Sequence, residues 1–209
     1  MKVFILTSEG NRNFHPRAEL TRDSCIYNRQ YEPQFFSLFD LETGRQFIEV
    51  NSIRSRNEYT QLSNEADYYI FTHIALWNLC VSLNESIIVA EHNALFVRNW
   101  DEPKFESILN LSESVSDRHS DASRGDVLQV HQKPLQEVSP VGKDDTVEAM
   151  SGVGSVITRL AYAIKPHAAL TLIQSVITDG YWYTDKHIVS PQLVVDNLYK
   201  PIVQEQIVF

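Results

Sequence analysis

Three polar residues, Glu91-His92-Asn93, follow directly on the apolar run Ile87-Ile88-Val89-Ala90. A run of that kind reads as an interior strand, so its abrupt end sets three side chains at the edge of a sheet. In open α/β sheets, ligands bind beyond the carboxyl ends of the strands. Glu91 and Asn93, separated by one residue, are candidate ligands for a divalent cation on a diphosphate, because hard oxygens suit Mg or Mn. Asn93 is neutral and the weaker of the two. His92 between them would favour Mn or a later metal, given the softer preference of imidazole. The alternative is that Glu91 and Asn93 only cap a turn.

Other residues have chemistry to offer. Thr7, Ser8, Arg12 and Arg17 follow the first apolar run and are candidates to hold phosphate through hydroxyl and guanidinium contacts. A surface loop with incidental arginines is the competing reading. Tyr181-Trp182-Tyr183-Thr184-Asp185 is an aromatic cluster ending in an acid, a combination suited to sugar binding and general-base work. Core aromatics beside a surface acid would look the same. Asp179 is the rival base, although Asp179-Gly180 also reads as a helix-ending turn. His73 falls within an apolar helix and reads as a hydrogen-bonded core histidine. Asp117, His119 and Asp121 alternate in an acidic stretch and read as solvated loop. Gly152-Val153-Gly154-Ser155 lacks a third glycine, a preceding strand and a following phosphate-loop lysine, so it reads as a turn. No Gly-x-Ser-x-Gly elbow is present, and Cys25 and Cys80 lie in no nucleophile motif.

The composition narrows the classes. The chain has 209 residues, 43% of them hydrophobic and 11% aromatic, which excludes disorder throughout. Eighteen bases against 27 acids give a net charge of −9, with no dominant basic footprint for duplex nucleic acid or anionic membrane. Two cysteines build neither a disulfide framework nor a Cys-rich zinc site; both are expected reduced and buried. No signal-peptide core and no membrane span is read, and a soluble cytoplasmic protein is expected, in a host cytoplasm if the chain is viral.

These residues must be positioned by an alternation of elements. Lys2 to Leu6 reads as a buried strand, and Ile70 to Leu83 as a helix buried nearly all round, with apolar residues at 70, 74, 77 and 81. Ile87–Ala90 is an interior strand and Asp126 to Val130 a weaker one. Arg159 to Ile164 alternates and reads as a half-buried strand. Pro166 suits the first turn of a helix running to about Ile177 and stopping near Asp179-Gly180. Residues 1–60 balance eight acids with eight bases, seven of them arginine, whereas 101–150 hold eleven acids and five bases. That acidic stretch reads as a surface insertion or a solvated face in a single domain. The fold class is α/β, with a mostly parallel central sheet.

A resemblance appears where these pieces stand in order. Thr72-His73-Ile74-Ala75-Leu76-Trp77, a spacer, then Ile87 to Phe96 through Glu91-His92-Asn93, is similar to the core of family-25 glycosyltransferases. That group includes lipopolysaccharide-type sugar transferases, and its pattern is Ser-His-x-x-x-Trp, an apolar strand and Glu-Asp-Asp. Gly154-Ser155 and the block Ala161-Tyr162-Ala163-Ile164-Lys165-Pro166-His167-Ala168-Ala169 resemble its downstream motifs. Asp185 falls where the family carries an acid, and Lys200-Pro201-Ile202-Val203-Gln204 resembles its closing block.

His92 and Asn93 stand in place of two aspartates. The resemblance implies a GT-A-like nucleotide-diphospho-sugar fold, a nucleotide-sugar donor and sugar transfer with inversion. Asp185 would deprotonate the acceptor. With the metal site weakened, Arg12, Arg17 or Lys186 would share the charge of the leaving diphosphate. The favoured acceptor is a surface glycan such as lipopolysaccharide. A hydroxymethylated base in viral DNA is the alternative acceptor, and a non-catalytic nucleotide-sugar or glycan-binding protein the alternative class.

Overall fold

The computed structural model describes residues 1–8, 13–29, 32–54, 65–98, 104–112, 149–152, 160–181, 193–198 and 201–206. Its elements in chain order are β1 (Lys2–Thr7), α1 (Phe14–Arg29), β2 (Gln34–Ser37), α2 (Leu41–Asn51), α3 (Glu65–Leu83), β3 (Ile87–Ala90) and β4 (Ala94–Phe96). There follow β5 (Ile108–Asn110), β6 (Ala149–Gly152), β7 (Ala161–Ile164), α4 (Pro166–Asp179), β8 (Val195–Leu198) and β9 (Val203–Glu205).

Seven strands form one sheet in the order β2-β1-β3-β7-β5-β8-β6. Strands β2, β1, β3, β5 and β8 share one direction, while β7 and β6 oppose them. The sheet is therefore mostly parallel, with one antiparallel strand at its centre. Strands β4 and β9 pair separately. Apolar side chains leave the sheet on both faces, as strands covered on both sides require. One face packs on α3 and α4 through Phe4, Leu6, Ile87, Val89, Ile108 and Ile164. The other packs Val3, Ile5, Ile88, Ala90 and Leu109 against α1 and β4. Among the described residues, no helix is long and apolar enough to cross a membrane.

The local chemistry explains the boundaries. Helix α4 opens on Pro166, whose fixed φ and missing N–H suit a first turn, and closes at Gly180 with φ 86°, where a side chain would clash. Asp40 caps α2 by accepting a hydrogen bond from Thr43 N at 2.8 Å, and the stabilised carboxylate has a lowered pKa. In α3 every residue from Ile70 to Ile74 is buried, but Asn78, Ser82 and Leu83 are exposed, so the helix is enclosed only in its first part and not nearly all round to Leu83 as the sequence predicts.

Three further expectations change. β7 begins at Ala161 and is buried at all four positions rather than half-buried, because it is sandwiched between β3 and β5. The first part of the acidic stretch is core: Ile108 and Leu109 are fully buried in a strand between β7 and β8. The run is too short, and its flanks too polar, for its periodicity to announce a strand. Ala149–Gly152 also joins the sheet, as β6, so Gly152 ends a strand rather than starting a turn. The expected strand at 126–130 lies outside the described residues.

Cys25 and Cys80 are free and buried. Burial pushes the Cys80 thiol up to about 11, against an ordinary value of 9.0; its sulfur lies 3.3 Å from the Glu85 carbonyl. An unfolded chain releases that proton near pH 9 and the folded chain only near 11. Between these values the unfolded state binds fewer protons, so stability is full below pH 9 and falls as pH rises. Denaturant titrations from pH 9 to 10 are expected to show a decline of up to about 1 kcal/mol per pH unit. In Cys80→Ala the decline over that interval should be shallower.

Candidate functional site

Parallel strands β1 and β3 lie side by side with Ile5 opposite Ala90, so Thr7 and Glu91 emerge at the same edge. The chain turns at once after β3: Glu91 N donates to Leu160 O at 2.8 Å, and Ala94 N donates to Glu91 O at 3.1 Å. The turn reading and the site reading of this triplet thus both hold for its backbone. Its side chains have different main contacts, although those of Glu91 and His92 approach to 3.9 Å.

Glu91 turns to the α3 face and is 4% exposed. Its Oε1 lies 3.6 Å from His73 Nε2, and its Oε2 lies 3.9 Å from His92 Nδ1. His73, fully buried, has its Nδ1 2.8 Å from Tyr162 Oη, and the same oxygen accepts a hydrogen bond from Trp77 Nε1 at 3.0 Å. His73 and Trp77 stand four residues apart and so share one face of α3. Burial, the largest influence, holds the Tyr162 phenol well above its ordinary pKa; the Trp77 hydrogen bond opposes this and the Glu91 charge reinforces it. His73 is the bonded core histidine expected, and it also connects the core to Glu91.

His92 turns to the α1 face. Its ring stacks on Phe14, with centroids 3.8 Å apart and planes at 29°. Its carbonyl accepts from Thr21 Oγ1 at 2.8 Å, and Gln206 Nε2 donates to Thr21 Oγ1 at 3.1 Å and to Arg17 O at 2.9 Å. Asn93 turns away from both: its Nδ2 donates to Glu205 Oε1 at 3.1 Å on β9. Glu91 and Asn93 therefore do not form the paired cation ligands that the sequence offered. Glu91 and His92 keep contact with each other while Asn93 is held by Glu205 on β9. Among the described residues, no three His, Cys, Asp or Glu side chains gather as a metal-holding group.

Thr7 ends β1 and is 3% exposed; its hydroxyl has no hydrogen-bond partner among the described residues. Its carbonyl accepts from Leu38 N at 2.7 Å, which ties the edge to β2. Arg17 lies in the opening turns of α1, partly buried. Asp179 closes α4, exposed, where it accepts from Ser175 Oγ at 3.4 Å. Two residues later Tyr181 packs edge-on against Phe71, which brings the end of α4 to the half of α3 that carries His73. Arg12, Asp117, His119, Asp121, Asp185 and Lys186 lie outside the described residues.

Tyr162 and Trp77 belong to the site's interior, and residue-by-residue reading gave them no role. The available signal was chemical: a buried tyrosine or tryptophan needs a partner for its polar tip. Gln206, which clamps Thr21 and Arg17, carried no signal in the sequence.

A buried hydroxyl without a partner costs roughly 1–3 kcal/mol relative to a satisfied one. Thr7→Val keeps the shape and removes the hydroxyl. The ligand-free variant is expected to match the parent or exceed it by about 1 kcal/mol in denaturant titration. A clear loss of stability would assign the hydroxyl a structural bond instead.

No protein-family model and no curated protein matches the chain. A solved crystal structure of the galactosyltransferase LgtC, in complex with donor and acceptor sugar analogues, is similar to it with a TM-score of 0.47 at 9% sequence identity. The similarity covers 94% of this chain and 73% of that one.

Proposed function

We propose that the chain is a glycosyltransferase: it takes a nucleotide-diphosphate sugar at the edge carrying Thr7 and Glu91 and moves the sugar to an acceptor hydroxyl. The supporting observation is a buried carboxylate and a buried hydroxyl without a hydrogen-bond partner among the described residues, at the carboxyl ends of two adjacent parallel strands. Such ends are where open α/β sheets take ligands. The Thr7 hydroxyl is suited to donate to a phosphate oxygen. Glu91, lacking companions for a cation among the described residues, is suited to accept hydrogen bonds from hydroxyls of the donor's sugar or ribose.

Charge on the leaving diphosphate then falls to cations of the chain, for which Arg12, Arg17 and Lys186 are the candidates. The acceptor proton goes to a carboxylate, with Asp185 the proposed base and Asp179 its rival. Inversion, implied by the sequence resemblance, is read from the anomeric configuration of the product by NMR. A surface glycan is the favoured acceptor; a net charge of −9 weighs against duplex DNA.

Mass spectrometry and thermal shift with a panel of nucleotide sugars test the donor. A bound donor is expected to raise the melting temperature by mass action. Glu91→Gln and Thr7→Val should each remove most of that rise, and a chelator should leave it in place. Full dependence on added Mg would overturn the metal-free reading. Binding with neither hydrolysis nor transfer would make the chain a nucleotide-sugar-binding protein.

Asp185→Asn is expected to lower turnover roughly 10²-fold with donor affinity unchanged, since a general base acts on the acceptor in the transition state. Near-normal turnover there, with a collapse in Asp179→Asn, would move the role to Asp179.

A further inference from the structure

The buried chain behind Glu91 has a direction. Trp77 Nε1–H can only donate, and it donates to Tyr162 Oη at 3.0 Å. Tyr162 Oη lies 2.8 Å from His73 Nδ1, so one of those two groups donates to the other. If Nδ1 carried the proton, the phenol oxygen would accept twice. Its own hydrogen would then have no acceptor among the described residues, in a side chain with no exposure. The bare Nε2 lone pair would also face the Glu91 carboxylate at 3.6 Å. If the phenol donates to Nδ1, the Trp77 and Tyr162 hydrogens both have acceptors, and in the neutral ring the remaining proton sits on Nε2, facing the Glu91 carboxylate at 3.6 Å. The hydrogen-bond network thus selects one tautomer.

We infer that Trp77, Tyr162 and His73 form a one-way hydrogen-bond chain that fixes His73 as the Nε2–H tautomer and holds the Glu91 carboxylate in place. His73 and Tyr162 are positioning residues for Glu91, and neither needs to touch a ligand. Buried networks of this kind strengthen each member in turn and fix a single geometry. Among the described residues the Nε2 atom has no partner within hydrogen-bond distance, although Glu91 is 3.6 Å away. A small movement of the carboxylate would complete a charge-assisted bond, which is stronger than a neutral one. The consequence for donor affinity rests on the glycosyltransferase reading; the tautomer does not.

The experiment has a ligand-free arm and a donor arm. Long-range proton–nitrogen NMR on the 15N-labelled full chain reads each imidazole, with the His73 signals identified by their loss in His73→Gln. An Nε2–H ring is expected for His73 in the parent protein, and a change in its nitrogen shifts in Tyr162→Phe. An Nδ1–H ring in the parent, or identical shifts in a folded Tyr162→Phe, overturns the inference. If Tyr162→Phe does not fold, the parent spectrum still decides.

In the donor arm, a glutamine amide reaches the position of Nε2–H whereas asparagine reaches only that of Nδ1. Affinity for the nucleotide sugar is expected within about twofold of the parent in His73→Gln and roughly tenfold weaker in His73→Asn, the scale of one lost bond to a charge. Equal losses in the two variants overturn the positioning role. A parent protein that binds no donor removes the functional reading and leaves the tautomer measurement to judge the chain.

Discussion

The parallel pairing of β1 with β3, Lys2 opposite Ile87 and Ile5 opposite Ala90, governs what the rest of the molecule can do. Strands in contact and pointing the same way deliver both carboxyl ends to one edge, and the residues that follow must meet there. An antiparallel pairing would send Thr7 and Glu91 to opposite ends of the sheet. The strand on the other side of β3 is antiparallel, and this has its own consequence. β7 begins, rather than ends, at the ligand edge, so Tyr162 stands beside Val89 near the top of the sheet. Its phenol thereby comes within reach of a helix that crosses above.

That helix resolves a conflict in its sequence. α3 is enclosed from Ile70 to Ile74, yet this stretch contains Thr72 and His73, whose polar groups are costly to bury unpaired. Thr72 Oγ1 accepts from Phe39 N at 2.9 Å, and His73 is bonded to Tyr162. Each polar group on α3 thus ties the helix to a different neighbour, one beyond β2 and one on β7. The same bonds that make the burial tolerable fix the helix's rotation and height over the sheet. Apolar contacts alone do not specify this, since they have no direction.

Much of the frame was legible because period and apolar run length speak plainly for β1, α3, β3 and α4. The missed elements share a physical cause. β5 offers three residues, Ile108–Asn110, between Ser107 and polar Asn110, and gains its place only from partners on both sides. β2, Gln34–Ser37, is an exposed edge strand whose pattern has no buried face to record. β8 reads Val-Asp-Asn-Leu, since Asp196 is satisfied by Glu106 N and Asn197 by Asn110. At the site, Glu91 was legible as a residue of interest and its companions were not. The sequence shows that Glu91, His92 and Asn93 adjoin but not that Asn93 parts from the other two. It also separates His73 from Tyr162 by 89 positions although their polar atoms touch.

Polar residues at this edge fall into two kinds, and the distinction separates scaffold from site. Asn110 is fully buried, and both ends of its side chain are bonded within the fold: Nδ2 donates to Asn197 Oδ1 at 2.9 Å, while Oδ1 accepts from Ser112 Oγ at 3.0 Å and Ser112 N at 3.2 Å. It joins the ends of β5 and β8. Asn93, bonded to Glu205, likewise serves to hold β4 to β9. The Thr7 hydroxyl is buried nearly as fully as Asn110 and has no partner among the described residues. Folding gains nothing from a buried hydroxyl in that condition, so its presence is a cost. Burial and polarity alone therefore do not mark a binding residue. The mark is a polar atom that the fold has brought out of water without giving it a partner, at an edge where the topology leaves room for one.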